Sequence, residues 1–488
     1  MTVSPQHAAI HRQLQAVGQG HLLAFAEQLS PGQQQALLSQ IASLDLDSLP
    51  ALSEQYVLRK PEYRVPATLA PAIVHAAGGR IVGLPASSAQ PATWDRAAAQ
   101  RAGEAIIRAG KLAAFVVAGG QGSRLGFEGP KGCFLAGALS GKSLFQLFAE
   151  NLLGAKDRFG VEVPWYIMTS PLNDAQTRQF FEAHSFFGLS KSSVRFLQQG
   201  VSPSFDITTG KVLLASKGEV ATNPDGHGGA VRALHTSGAL QDMQARGIEH
   251  ISYFQVDNPH ARIVDPVFLG LHATPGAHSS GQMSSKVVPK VGPEEKVGVF
   301  VLADGRSGVL EYSDMPKALQ EAREPDGTLR FGAGNIAIHL LSRAFVQRLA
   351  TDSSFALPWH RAEKKIPCID PRTGEPISPS TNNGVKLEKF IFDALALCDK
   401  SLVLETDRIE EFAPIKNASG SDSPESCKQL QTQRAARWLA AQGVHVPTKP
   451  DGSPDCIIEV SPRTATSADE LRAASVPRTI ERGARVSL

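Results

Sequence analysis

The stretch LAAFVVAGGQGSRLGFEGPKG, from Leu112 to Gly132, decides the fold. Its first third is continuously apolar and contains adjacent valines, the composition of a strand buried on both faces. The glycines at 119, 120, 122 and 126 that follow let backbone amides approach a phosphate chain and adopt dihedrals that a Cβ disfavours. Arg124 and Lys131 add two cations to the same turn. The dinucleotide fingerprint GxGxxG does not fit, because its third glycine is out of place and cations intrude. A P-loop needs GxxxxGK[ST], and that is absent here as well. Residues 137–143 read GALSGKS, which is one residue too short between its glycines. A plain strand-to-helix turn would account for the glycines but leaves both cations unexplained.

Outward from this loop the texture alternates between strand, turn and helix. Leu144, Leu147, Phe148 and Leu152 mark an amphipathic helix, and WYIMT from Trp165 and ISYFQV from Ile251 are further short apolar strands. Such alternation predicts an α/β fold with a mixed, mostly parallel sheet covered by helices. Upstream, Leu22, Phe25 and Leu29 recur at helical spacing. Ser30-Pro31 then supplies an N-cap and a proline at the first helical position of a second helix carrying Leu37, Ile41 and Leu44. The run from Leu84 to Thr93, rich in Pro, Ser and Ala, reads as a connection. Past about residue 375 the pattern breaks into shorter pieces, and an Arg-rich tail from Arg463 is expected to be partly mobile. The expected division is a helical N-terminal region over 1–105, a central domain over 106–375 and a small C-terminal domain over 376–488.

Composition removes several classes of function. The chain has 488 residues, 42% of them hydrophobic, which is enough for a sizeable core. Lys plus Arg at 49 against Asp plus Glu at 47 leaves a net charge of +2, so no nucleic-acid partner is expected. The first fifteen residues hold no apolar h-region, and no apolar run approaches the roughly 20 residues that span a bilayer. Neither a secretory signal nor a membrane partner is expected. Five scattered cysteines include no CxxC pair, and fourteen histidines show no ligand spacing. A cytoplasmic, multidomain enzyme is the class that remains.

AGGQGSRLG followed by PKG resembles the nucleotide-binding signature of the UDP-sugar pyrophosphorylases, most closely the UDP-N-acetylhexosamine branch. The resemblance continues in order through QQG at Gln198, PDGHGG at Pro224, VDN at Val256, EYSDM at Glu311 and GAGNIA at Gly332. KKIPCID at Lys364, NGVKLEKFIFD at Asn383 and EFAPIKNASG at Glu411 complete it. It implies a Rossmann-like nucleotidyltransferase domain flanked by smaller N- and C-terminal domains. The implied reaction is a uridylyl transfer: UTP and a sugar 1-phosphate give a UDP-sugar and pyrophosphate. Such a reaction needs no covalent intermediate, so catalysis would come from positioning and charge neutralisation.

The same resemblance assigns residues. Ala118, Gly119, Gly120, Gly122 and Ser123 would line the nucleotide, with Arg124, Lys131 and Lys416 meeting the phosphates. Gln199 and Gly226 would read the uracil edge, since an amide can donate and accept at once. His227, Gly229, Glu311 and Asn335 would face the sugar, and Asp257 would hold Mg2+, or Mn2+ in its place. Each has a blander competitor: a surface lysine after a proline turn for Lys131, a solvated glutamine for Gln199, an N-cap for Asp257. Glu311 competes with a strand-edge carboxylate, Asn335 with a turn asparagine and Lys416 with a loop lysine. Either of Lys364 and Lys365 could face the site.

Two departures from the branch bear on the sugar. GHGG, with His227, replaces the usual GNGG and is closer to the UDP-glucose and broad-specificity enzymes. DNPH, following the ISYFQV strand, replaces residues that are usually apolar. The favoured acceptor is N-acetylglucosamine 1-phosphate. Glucose or galactose 1-phosphate, or a catalytically silent scaffold, remain as competing readings. A silent relative has no electrostatic need to retain Arg124, Lys131, Asp257 and Lys416 together.

Overall fold

A computed structural model describes residues 5–60, 66–84, 93–276 and 279–488. The connection expected over residues 84–93 lies mostly outside these. Contacts divide the chain into two compact units. The first joins Met1–Val65, Gln199–Arg232 and Leu357–Ile391; the second joins Pro66–Gln198, Ala233–Ala356 and Phe392–Leu488. Sequence texture changes near residues 105 and 375, but packing follows shared apolar surface rather than chain order.

The second unit is built on one large sheet. Nine of its twelve strands are β1 (Val74–His75), β2 (Leu112–Val117), β3 (Trp165–Thr169), β4 (Val194–Gln198), β5 (His250–Gln255), β6 (Met283–Pro289), β7 (Val299–Ala303), β8 (Ala333–Ser342) and β9 (Leu402–Glu405). Their order across the sheet is β1, β9, β6, β8, β5, β2, β3, β4, and β7 pairs with β8 off this path. Among these nine, neighbours are parallel except at β8, which runs antiparallel to β5, β6 and β7, and short antiparallel strands are added at β1 and β7. The sheet is therefore mixed and mostly parallel. β2 and β3 are buried almost throughout, as a strand covered on both faces must be.

The helix Leu144–Phe159 begins at the Ser143 cap and stops at Gly160, whose φ is 73°. Its Phe145 meets Phe181 at 5.0 Å between ring centroids, and Trp165 meets the same ring at 5.5 Å. Each such buried aromatic contributes on the order of 2–3 kcal/mol by burial alone.

The C-terminal part is more regular than its sequence suggests. A long helix, Pro424–Ala441, is capped by Ser423, and Arg485–Ser487 pairs in parallel with Ile457–Glu459. The tail after Arg463 is tied down rather than loose: Glu470 pairs with Arg262 at 3.0 Å, and Arg463 with Asp157 at 2.8 Å. The GALSGKS segment is closed as a phosphate cradle. The Glu459 carboxylate accepts from the Leu139 and Ser140 amides at 2.5 and 2.8 Å.

The first unit gathers the N-terminal helices onto two distant insertions. Leu14, Leu22, Leu37, Ile41 and Leu49 share one apolar cluster with Phe205, Val385 and Leu387. A small antiparallel sheet of His360–Lys364, Gly384–Glu388 and Phe205–Asp206 carries the other side. Ser30 caps Pro31–Ala42 with a full capping box, and Gln40 on that helix bonds both the N–H and the C=O of Val220. Leu22, Phe25 and Leu29 do not share an α-helix. The helix Pro5–Ala16 precedes them, Gly18 turns the chain with φ 73°, and they fall in and beside two short 3₁₀ turns. A 3₁₀ turn also eclipses positions i and i+3, so Leu22 and Phe25 still face the core. No helix among the described residues is long and apolar enough to cross a membrane.

Candidate active site

In the second unit, the glycine loop leaves β2 and folds back on itself. The Lys131 amide donates to Gly120 O at 3.0 Å, and the Gly122 amide to Gly129 O at 2.9 Å. A Cβ on Gly132 would lie 2.1 Å from the Phe145 ring, whereas one on Gly120 would meet open space. The first glycine serves packing, and the second leaves room for a ligand. Asn173 anchors the loop by donating to Ala118 O at 2.9 Å and Gly120 O at 3.3 Å. Its own Oδ1 accepts from the Ser170 amide. Arg124 is exposed, and among the described residues neither its guanidinium nor the Lys131 ammonium has a carboxylate partner. Two neighbouring cations left uncompensated are arranged to receive an anion.

Asp257 stands just past β5. The pairing of Gln255 with Val117 brings it level with Gly119 at the carboxyl end of the sheet, where open α/β sheets bind ligands. Among the described residues its carboxylate has no hydrogen bond or ion pair, and it is half-buried. No group of three or more His, Cys, Asp or Glu residues capable of holding a metal occurs among them either. One carboxylate at a strand end suits Mg2+, which keeps several waters and takes few protein ligands. It does not suit a tetrahedral zinc site.

The DNPH departure has a structural role. Asn258 donates to Glu411 O at 2.7 Å and accepts from the Ala413 amide at 3.0 Å. His260 bonds Ile409 O at 2.9 Å, and burial holds its imidazole well below the usual histidine range. The Ile415 amide donates to Asp257 O at 2.8 Å, so the segment carrying Lys416 is stitched to Asp257. Beneath it, fully buried Lys286 bonds Glu411 and Asp265, each at 2.6 Å. Lys416 itself lies 3.8 Å from Asp422 and 5.4 Å from the Phe412 ring centre.

Glu311 and Asn335 meet around one glycine. The Asn335 amide donates to Gly298 O at 2.8 Å, and a Cβ on Gly298 would lie 2.9 Å from Glu311 Oε1. The β6–β8 register shifts between Ser285 and Val287, and Ala337 on β8 takes a φ of 56°. Asn335 Oδ1 accepts the Ala337 amide at 2.9 Å, which leaves its Nδ2 to donate elsewhere. A bulge of this kind re-aims a side chain. Because β8 runs antiparallel beside β5, Asn335 at its start lies at the Asp257 end of that strand.

In the first unit, Gln199 is buried and its Nε2 donates to Gly226 O at 2.7 Å. Gly226 has φ 82°, and a Cβ there would lie 2.4 Å from Lys389 O, so only glycine fits. The Gly228 amide donates to Lys389 O, and the Lys389 amide to Asp225 O. Burial raises the Asp225 carboxyl above its ordinary range, opposed by the Gln199 hydrogen bond and by Arg232. His227 accepts the Ile391 amide at Nδ1, 3.2 Å away, and stacks on Phe390 at 5.2 Å and 16°. Phe390 stacks on His360 at 4.2 Å. Burial, then the charge of His360, lowers His227 to about 4, so the ring is neutral with its proton on Nε2. Gly229 is buried against Asp225, and Lys364 and Lys365 are both exposed.

Sequence reasoning missed Asn173, Asp225, Asn258 and Phe390. Asn173 precedes a helix and reads locally as a cap; the others read as turn or core residues. Only the DNPH departure marked one of them.

Residues 89–443 match the family described as UTP–glucose-1-phosphate uridylyltransferase. A UDP-N-acetylglucosamine pyrophosphorylase of Saccharomyces cerevisiae is 38% identical, over 76% of this chain and 77% of its own length. A human UDP-N-acetylhexosamine pyrophosphorylase-like protein 1 is 36% identical over 95% of this chain and 93% of its own. Among solved structures, the uridine diphosphate N-acetylglucosamine pyrophosphorylase of Trypanosoma brucei superposes with a TM-score of 0.77 at 28% identity, covering 98% of each chain.

Proposed function

The chain belongs to the UTP–glucose-1-phosphate uridylyltransferase family, and from that premise we propose that it joins UTP to N-acetylglucosamine 1-phosphate, giving the UDP-sugar and pyrophosphate. One observation carries the reading: two cations that have no carboxylate partner among the described residues sit on a glycine loop level with a carboxylate that is likewise unpaired among them, at the end of the sheet. The sugar phosphate oxygen attacks the α-phosphorus in line, the P–O bond to the β-phosphate breaks, and pyrophosphate leaves with the electron pair. Arg124, Lys131 and Lys416 neutralise charge on the phosphates. The open backbone at Gly119, Gly120, Gly122 and Ser123 lets the triphosphate approach. Asp257 would hold Mg2+ or Mn2+, which would supply neutralisation of phosphate charge there. Gln199 and Gly226 take the uracil, while Glu311 and Asn335 take sugar hydroxyls.

The acetylated sugar is favoured by the names of the yeast and trypanosome relatives. The GHGG loop favours unacetylated hexoses as the second reading. Against it, the His227 ring is committed to Phe390 and Ile391 within the protein. All five cysteines are free thiols, the state that a reducing compartment maintains, and cytoplasmic location is part of this reading. The test is pyrophosphate release from UTP with a panel of sugar 1-phosphates. The expected best acceptor is N-acetylglucosamine 1-phosphate. A tenfold preference in kcat/KM for glucose or galactose 1-phosphate, about 1.4 kcal/mol, would install the second reading. No release with any acceptor would return the silent-scaffold reading.

A further inference from the structure

Lys286 is a fully buried cation in the middle of β6, and the reaction as written gives it no part. Its Nζ lies 2.6 Å from Asp265 Oδ2 and 2.6 Å from each Glu411 carboxylate oxygen. Burial works against the Asp265 carboxylate, yet Lys286 and then Arg262 hold it well below the usual carboxylate range, so the cluster is charged. Buried ions of this kind carry a desolvation cost that an apolar side chain of similar size avoids. Stability alone therefore gives no reason for a lysine here.

What the cluster holds is a seam between two segments. Glu411 is fixed at both ends: Thr406 Oγ1 donates to its Oε1 at 2.8 Å, and Asn258 Nδ2 donates to its carbonyl at 2.7 Å. Asn258 Oδ1 then accepts from the Ala413 amide at 3.0 Å, and the Asp257 carbonyl from the Ile415 amide at 2.8 Å. Residues 411–415 are all buried along this seam, and Lys416 is the first to emerge from it. Asp265 closes the other segment, because its Oδ1 caps the helix Pro266–Ala273 through the Val267 amide at 3.0 Å. Lys286 thus joins the end of the segment that starts at Asp257 to the start of the segment that ends at Lys416. Without its ammonium two carboxylates would be left buried side by side. One would have to take a proton or move away, and either change loosens the hold on Glu411.

We propose that Lys286 is a positioning residue: by gripping Glu411 and Asp265 together it fixes the segment that delivers Lys416 beside Asp257, and it acts on the transfer through Lys416. The inference rests on the reading in which Lys416 meets the phosphates.

The experiment is a double-mutant cycle on kcat, read by pyrophosphate release at saturating UTP and sugar 1-phosphate, with melting temperature followed alongside. It compares wild type, Lys286→Met, Lys416→Ala and the two substitutions combined. Lys286→Met is expected to lower kcat at least tenfold by itself and less than twofold beside Lys416→Ala, since nothing is then left to position. A merely structural defect would lower kcat by the same factor in both backgrounds. That result overturns the positioning role, as does a kcat within twofold of wild type in folded Lys286→Met. Glu411→Gln keeps the shape of the side chain but loses the charge that Lys286 grips. Run through the same cycle, it decides the matter if Lys286→Met does not fold. A chain that folds with neither substitution would show that these charges serve stability, which also overturns the proposal. Lys416→Ala with a kcat within threefold of wild type overturns the assignment of Lys416, and the inference with it.

Discussion

The glycine loop after β2 and the loop from Pro224 to Gly229 are both glycine-rich, and they solve opposite problems. In the first, Arg124 and Lys131 have no carboxylate partners among the described residues, and Gly120 faces open space. In the second, several polar groups are engaged within the protein. Gln199 bonds Gly226, His227 bonds Ile391, and Lys389 ties both strands of the turn together. A highly charged phosphate chain is recognised by charge left uncompensated, since Coulomb attraction tolerates small errors in position. A neutral base edge is recognised by donors and acceptors whose orientation is settled beforehand, since a misplaced hydrogen bond is nearly worthless.

That contrast can be broken most sharply at the glycine loop and the strand end beside it. Asp257→Asn keeps the shape of the side chain and removes the charge that would hold the cation. Activity should vanish at low Mg2+ and return at most in part at high Mg2+. A titration that superimposes on wild type would strike Asp257 from the metal assignment. Lys131→Ala should lower turnover by two or more orders of magnitude, about 3 kcal/mol of lost charge stabilisation. Turnover within threefold of wild type would show that the loop does not depend on this cation.

At the loop from Pro224 to Gly229 the losses should appear in binding and folding. Gly226→Ala forces a Cβ into Lys389 O at a φ of 82°, and should cost roughly 1–3 kcal/mol of stability. The KM for UTP should rise more than kcat falls, as measured by urea melts and initial rates. An unchanged urea midpoint would contradict the steric argument.

The smallest expected effect is at His227. His227→Asn should move the ratio of N-acetylglucosamine 1-phosphate to glucose 1-phosphate a few-fold further toward the acetylated sugar, with UTP binding retained. It should also change the pH dependence of stability. The folded imidazole titrates at about 4, below the ordinary value of 6.5, so the unfolded chain binds the extra proton first as pH falls. Wild type should lose stability relative to His227→Asn from about pH 6.5 down to about pH 4, and level off below that. Parallel melting-temperature curves for the two proteins would mean that the ring is not held neutral by burial.

Much of this was legible in the chain. The unbroken apolar runs at Leu112, Trp165 and Ile251 became adjacent parallel strands of one sheet, and Ser30-Pro31 became a capped helix start. The cations of the glycine loop were visible because charge among glycines has no local structural use. Asn173, Asp225 and Phe390 were not visible, because each makes an ordinary local pattern: an asparagine before a helix, an aspartate in a turn, a phenylalanine in an apolar run. Their roles depend on groups far away in the chain, such as Ala118 for Asn173 and His360 for Phe390. The C-terminal tail was misjudged for a related reason. It was expected to be partly mobile, but Arg463 pairs with Asp157 and Glu470 with the distant Arg262.

The sequence by itself determined the class of chemistry, an α/β nucleotidyltransferase with a glycine loop that carries two cations. Composition, period and loop chemistry are local properties, and local order of residues is all that they require. Only the tertiary structure decided which distant segments share a unit, that the GALSGKS loop is filled by Glu459, and that the Gln199 amide donates to Gly226 O. Those are statements about which acceptor lies beside which donor across long separations in the chain. Hydrogen-bond direction and burial are properties of neighbours in space, and a linear order of residues does not contain them.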